Sequence, residues 1–272
     1  MKKEKTRIID LSLSTGKMSN ELYLNLVMVG VLIVMFTLGS LFINHFFSMS
    51  TVLNIIANNW YIVILGIGVT FLLVSGHLDM SVGGIVAMAG VLSAFFCQTQ
   101  NEGFSELGRG LGLPYGVAIL LTLACCLVIG LINALFVAKM RVASIIVTLG
   151  TMLISRGVGQ VVALGAQRSA GLPDVYGVIG NMPILGPIKI AAVIAALLVL
   201  IALFIEKRTV FGRRTYLIGA NREAARLSGV KVERHIALLY LLNSLLAGIT
   251  GILLASEMKA GICTRGTGFE FS

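Results

Sequence analysis

Apolar runs of membrane-spanning length recur along the chain, separated by short polar stretches. A hydrocarbon core about 30 Å thick takes roughly 20 apolar residues to cross as a helix. Residues 22–43, 53–74, 81–97, 115–138, 188–205 and 236–256 meet or approach that length. Residues 142–165 are also apolar, but Thr148, Gly150, Thr151, Arg156 and Gly157 interrupt them. That stretch reads as a broken segment at membrane depth rather than a lipid-facing helix. The predicted class is all-α, a polytopic transmembrane helical bundle forming one domain over residues 1–272, with about seven membrane segments.

The polar punctuation adds detail. Residues 22–43 are too long for a signal-peptide core and lack a small-residue cleavage site after them, so they read as a retained first helix. Asn54, Asn58 and Asn59 make a polar entry to the second. Ser75 to Gly84 form a glycine-rich break holding Asp79, the single acid between Glu21 and Glu102. Asp79 is expected to cap the following helix at the membrane surface, where an anion suits a helix N-terminus. The alternative is a proton or sodium site, since acids beside membrane segments are often functional. Arg156 must face the bundle interior, water or a partner acid. Thr148, Thr151, Ser155 and Gln160 could line a polar pathway or make interhelical hydrogen bonds. Gly130, Ala134 and Ala138 form a small-residue packing stripe.

Composition supports the membrane class: 57% of residues are hydrophobic and 12% charged, against about a quarter charged in soluble domains. The net charge of +9 falls between the apolar runs, as in positive-inside loops, and gives no nucleic-acid reading. With an inside amino terminus, the inner segments hold Lys2, Lys3, Lys5, Arg7, Lys17, Lys139, Arg141 and the eight basic residues of 206–235. The outer segments hold Arg109, Arg168, Lys189, Lys259 and Arg265. That asymmetry predicts a multi-pass inner-membrane protein with a cytoplasmic N-terminus, and places loops 98–113 and 166–187 outside.

Chemistry is sparse. His45, His77 and His235 have no ligand spacing, and Cys97, Cys125, Cys126 and Cys263 make no metal or redox motif, so no metal site is expected. No nucleophile or paired-carboxylate arrangement suggests an enzyme. Gly16-Lys17 lacks the rest of a phosphate loop. No cofactor is expected on this chain, and any ATP used would be hydrolysed by a partner subunit.

Residues 206–235 are the longest charge-dense stretch after the amino terminus. Asn221 suits an N-cap and Gly229 the left-handed position after a last turn. The two turns between them are too short to stand alone in water. On a helical wheel Ala224, Ala225 and Ser228 share a small flat face, and Arg222 and Arg226 a basic edge. The segment reads either as a solvated basic loop or as a docking helix for a cytoplasmic partner.

Several stretches together resemble one family. Ser75-Gly76-His77-Leu78-Asp79-Met80-Ser81-Val82-Gly83 is similar to the S-G-x-(I/L)-D-(L/M)-S-V-G signature of bacterial monosaccharide ABC-transporter permeases of the ribose, xylose, arabinose and galactose type. Gly130-Leu131-Ile132-Asn133-Ala134, Val147-Thr148-Leu149-Gly150-Thr151 and Arg156-Gly157 are similar to its G-L-I-N-G and A-T-L-G-T…R-G stretches. Phe211-Gly212-Arg213, Ile218-Gly219-Ala220-Asn221 and Ala224-Ala225-Arg226-Leu227-Ser228-Gly229-Val230 resemble its F-G-R…I-G-x-N…A-A-R-L-S-G-I loop. Gly266-Thr267-Gly268-Phe269-Glu270 resembles its G-x-G-Y-E segment.

The resemblance implies a permease domain that couples ATP hydrolysis on a separate cytoplasmic ABC ATPase to sugar import. It also implies a second permease subunit (as homodimer or heterodimer), a periplasmic sugar-binding protein, and surrounding membrane lipid. Asn221, Glu223, Ala224, Ala225, Arg226, Leu227, Ser228 and Gly229 would form the ATPase-coupling helix. Thr148, Thr151, Ser155 and Arg156 would be candidates for the translocation path. Ser75, Gly76, Asp79, Ser81 and Gly83 are the structural signature. About three further helices, roughly ten in all, are expected from the resemblance, which implies C-terminal truncation at Ser272. The rival readings are an ion-coupled secondary transporter using Asp79 and Arg156, and a non-functional truncated membrane scaffold.

Overall fold

The computed structural model describes residues 20–43, 46, 48–99, 110–165, 167–185 and 188–271. The chain divides into two compact units, residues 1–52 and 53–272. In the first, α1 (Asn20–Phe42) is apolar on all sides and its described side chains are nearly all exposed. A helix hydrophobic all round needs an apolar environment.

The single helix expected over 53–74 is a bent pair, α2 (Met49–Asn58) and α3 (Trp60–Val74). The break falls at Asn59, whose Nδ2 donates to the Ile55 carbonyl at 2.7 Å. Such side-chain bonds to the backbone compete with the helix ladder. After the non-helical residues 75–81 come α4 (Val82–Cys97) and α5 (Tyr115–Ala134), the latter continued by a π-helical turn at Leu135–Lys139. Then follow α6 (Ser144–Ala163), the strand pair-member β1 (Gln167–Arg168), the short α7 (Val178–Asn181), and β2 (Pro183–Leu185) with β3 (Ile188–Lys189). The chain continues through α8 (Ile190–Arg208), α9 (Val210–Ala220), α10 (Arg222–Leu227), α11 (Val232–Met258) and β4 (Gly261–Ile262). β1 pairs antiparallel with β4, and β2 with β3.

Among the described residues, α1, α5 with its π turn, α6, α8 and α11 are long and apolar enough to cross a membrane, and the α2–α3 pair makes a sixth candidate. The 16-residue α4 is apolar but shorter than those spans, and the fold is all-α as expected.

α6 corrects the reading of 142–165 as broken. It is one continuous 20-residue helix. Its buried residues Thr148, Thr151, Ser155, Gly159 and Ala163 recur at spacings of three and four, while Ile146, Leu153 and Val161 lie on the exposed side. The polar and small residues were one face of a helix, not interruptions of it.

The core is built on α4 and α11. Nearly all of α4 is buried, and α11 packs against α3, α4, α5 and α7. Small residues set these approaches. A Cβ on Gly251 would meet the Val86 carbonyl and Ala89, one on Gly248 would meet Cys126, and one on Gly130 would meet Ser244. Close approach at small residues replaces a hydrophobic driving force when the solvent is lipid. At the end of the unit that carries α7, Tyr176 is fully buried and bonds Ser93 Oγ at 2.8 Å. There Arg168 donates to Gln98 Oε1 and to the Val162 carbonyl, both at 2.6 Å.

Gly251→Ala is expected to lower apparent thermal stability in detergent by roughly 1–3 kcal/mol through overpacking. Gly150, also in a helix but with open space at its Cβ position, provides the contrast: Gly150→Ala is expected to be neutral or slightly stabilising. Equal melting of the two variants would contradict the close α4–α11 contact.

Candidate functional site

The signature segment, residues 75–81, is irregular backbone enclosed by helices. Asp79 is 4% exposed. Its Oδ1 accepts from the Ser81 N–H at 2.8 Å and from Ser81 Oγ at 2.5 Å. Its Oδ2 accepts from Asn243 Nδ2 on α11 at 2.9 Å. Asn133 Nδ2 on α5 donates to Ser81 Oγ at 3.0 Å, and Thr151 Oγ1 on α6 donates to Asn133 Oδ1 at 2.7 Å. The Met80 N–H donates to Thr148 Oγ1 at 3.0 Å, and Tyr240 Oη donates to the Leu78 carbonyl at 3.2 Å. One polar cluster thus joins the α3–α4 connection to α5, α6 and α11.

One expectation changes here. Asp79 is not a surface cap: it is buried, bonds the residue that precedes α4, and ties that turn to α11. Thr148, Thr151 and Ser155 face the α4–α5 side and spend their hydrogen bonds within the bundle, Ser155 Oγ on the Thr151 carbonyl at 2.8 Å. Thr148 and Thr151 bond across to the Met80 N–H and Asn133 Oδ1, whereas the Ser155 bond lies within α6. Gln160 lies on the exposed side of α6. Asn243 and Tyr240 were missed, although an asparagine and a tyrosine alone in an apolar run were the available signal.

Arg156 has its partner acid. Its Nη2 lies 3.0 Å from Glu270 Oε1 and 3.2 Å from Oε2. Phe269 stacks on Tyr61 with ring centroids 4.9 Å apart. Gly83 meets the Gly266 carbonyl so closely that a Cβ there would clash. The signature glycine of α4 is therefore where the segment around Gly266 and Glu270 lies down.

The second candidate site is the end formed by α9, α10 and the start of α11. Asn221 caps α10 as expected, its Oδ1 accepting from the N–H groups of Glu223 and Ala224 at 3.0 Å each. Gly229 takes a φ of +80°, the left-handed position that a residue without Cβ adopts without strain. The small face, however, is split. Ala225 is fully buried against the cluster of Ile218, Val232 and Ile236. Ala224, Leu227 and Ser228 are exposed, Leu227 by 82%. The basic edge is also partly committed: Arg226 pairs with Glu233 of α11, which Arg141 approaches at 3.6 Å. Arg222 has a buried Nη2 without a hydrogen-bond partner. On α9, Tyr216 Oη donates to Glu206 Oε1 at 2.5 Å, and this bond, with the carboxylate's charge, raises the phenol's pKa above its ordinary value.

The family described as branched-chain amino acid transport system / permease component matches residues 51–272. The chain belongs to this permease family. It is 34% identical over 230 residues to the galactose/methyl galactoside import permease protein MglC of Haemophilus influenzae, covering 80% of this chain and 66% of that one. It is 29% identical over 241 residues to the ribose import permease protein RbsC of Escherichia coli K12, covering 88% and 71%. To the L-arabinose transport system permease protein AraH of Escherichia coli K12 it is 32% identical over 207 residues, covering 75% and 58%. The chain therefore spans about two thirds of the length of these relatives, and no solved structure matches it. Family membership and the apolar helices make it a multi-pass membrane protein.

Asp79→Ala is expected to strand the Ser81 and Asn243 donors at about 1–3 kcal/mol each and to reduce folded yield in detergent. Asp79→Asn keeps an acceptor for Ser81, and the Asn243 amide can turn so that its unpartnered Oδ1 accepts from the new amide. This variant is expected to fold and to keep transport. A carboxylate that carried protons or sodium would lose transport on that same neutral change. For the ion pair, Arg156→Glu is expected to destabilise by about 3–5 kcal/mol, with partial recovery in the double variant R156E/E270R, read by thermal melting. No recovery would show that the pairing is not what holds the 266–270 segment.

Proposed function

We propose that the chain is the membrane permease subunit of an ABC importer for a monosaccharide, with ATP hydrolysed by a separate ATPase subunit and no cofactor on this chain. The family match supports a transport role, and the relatives named for galactose, ribose and arabinose import favour a sugar over the amino acids of the family's description. The reading includes a second permease subunit, an external sugar-binding protein and a bacterial inner-membrane location with the N-terminus and the α9–α10 end in the cytoplasm. The basic residues of residues 206–235 support that orientation.

The observation that carries the proposal is α10: a two-turn helix fixed at both ends, braced from within by Ala225, and presenting Ala224, Leu227 and Ser228 outward. Rigid presentation of a small-plus-leucine face is what helix-in-groove recognition uses. In this reading the ATPase receives that face and Ala225 supports it from behind. A bundle-buried Asp79 whose two oxygens already accept protein donors weighs against the ion-coupled alternative.

The test is made with the ATPase co-expressed. Leu227→Arg and Ala224→Trp are expected to leave membrane insertion intact and to cut ATPase co-purification and sugar uptake roughly tenfold or more. Ala225→Trp is expected to fail earlier, in folding. Unchanged uptake in Leu227→Arg would overturn the coupling role.

A further inference from the structure

The same end of the bundle holds a second feature, beside Gly229, the turn residue that closes α10. A cavity of about 330 Å³ lies between α9 and the start of α11, lined by Arg214, Gly229, Val230, Lys231, Arg234, His235 and Leu238. That volume is within the range of small-ligand sites, roughly 300–1,000 Å³. Arg234 and Leu238 are four apart on α11, so they share a face, and Lys231 is the residue that precedes the helix. Arg214 comes from α9. His235 forms the wall, its Nε2 held by Thr215 Oγ1 at 2.8 Å.

The charge around this cavity is uncompensated. Among the described residues, no ion pair uses Arg214, Lys231 or Arg234. The nearby acid, Glu233, is engaged by Arg226 and approached by Arg141. The three cations are solvent-exposed residues that line one concave space. Further along α11 from the cations is Leu238, apolar and 52% exposed. A ligand that fits both features carries a phosphate at one end and hydrocarbon at the other.

We infer that Arg214, Lys231 and Arg234 form a binding site for the phosphodiester headgroup of an anionic phospholipid, with Leu238 against the start of its acyl chains. Basic pockets beside membrane helices select anionic headgroups because each cation near the surface adds attraction of about 1 kcal/mol.

The full chain, purified in detergent, is titrated with phosphatidylglycerol or phosphatidylcholine and read by native mass spectrometry. Phosphatidylglycerol is expected to bind and phosphatidylcholine to bind far more weakly. The triple variant R214Q/K231Q/R234Q is expected to weaken phosphatidylglycerol binding on the order of a hundredfold, and each single variant roughly fivefold. The single variants carry the test should the triple variant not fold. The control K207Q/R208Q/R213Q removes equal charge from exposed positions outside the cavity and is expected to change binding little. Leu238→Ser is expected to weaken the lipid but not inorganic phosphate. The site is overturned if the control variant loses as much as the cavity variant, which would make the attraction diffuse. It is equally overturned if phosphatidylcholine binds as tightly, or if inorganic phosphate displaces the lipid and Leu238→Ser has no effect, which would make it a free-anion site.

Discussion

An irregular stretch of backbone cannot sit inside a membrane bundle unless its polar groups find partners there. Residues 75–81 impose that constraint on everything around them. The Leu78 N–H faces Ser144 Oγ at 3.4 Å, the Met80 N–H is taken by Thr148 and the Ser81 N–H by Asp79, while the Leu78 carbonyl is taken by Tyr240. Two helices, α6 and α11, supply those side chains besides Asp79 itself. Each bond contributes only about 1 kcal/mol net, but a donor left bare would cost more than that. The cluster therefore specifies registers: α5 must bring Asn133, α6 must bring Thr148 and Thr151, and α11 must bring Tyr240 and Asn243 to the same depth. Asn243 lies eleven residues into α11, about 16 Å from its start at roughly 1.5 Å per residue.

Glycine and alanine make those registers reachable. Asn243 fits because Gly68 of α3 has no Cβ to meet it, and the signature Gly83 admits the Gly266 carbonyl. At the loop end, Gly219 of α9 rests on the Val74 carbonyl and Ser75. The first residue of the signature segment is thus touched from α9, and its carboxylate from α11. α11 also carries Glu233, the partner of Arg226 on α10. The polar cluster and the α10 end are consequently two places on one continuous, tightly packed body rather than separate modules.

Features written in a few neighbouring residues were legible in the sequence. Asn221 with Gly229 bounded α10, and the glycine-rich run at Ser75 marked the interruption between α3 and α4. The class followed from the length of the apolar runs alone. Features that depend on which way a helix turns were not. α6 looked broken because its polar residues were counted along the chain, where a period of three to four would have shown a face. Ala225 was grouped with Ala224 and Ser228 because a six-residue helix carries too little pattern to say which side meets the protein. Arg156 called for an acid, but its partner is 114 positions away in sequence, and no local rule identifies it. Asn59 was visible as a polar entry; that its side chain would take the Ile55 carbonyl and bend the pair depends on backbone geometry.

Exposure of one leucine is not by itself informative, since isolated apolar side chains are common on protein surfaces. Leu227 gains meaning from its mounting. A helix this short does not persist in water without tertiary support, and α10 has support from four directions: the Asn221 cap, the Gly229 turn, the Arg226–Glu233 pair and the burial of Ala225. Those supports fix the outward side chains as firmly as any in the bundle. They also divide the chemistry of the loop by direction. Ala225 and Arg226 hold the helix to its own chain, which leaves Ala224, Leu227 and Ser228 as the residues free to touch another. A flexible basic connector would need none of these supports, so topology alone explains the arginines of the loop but not its architecture.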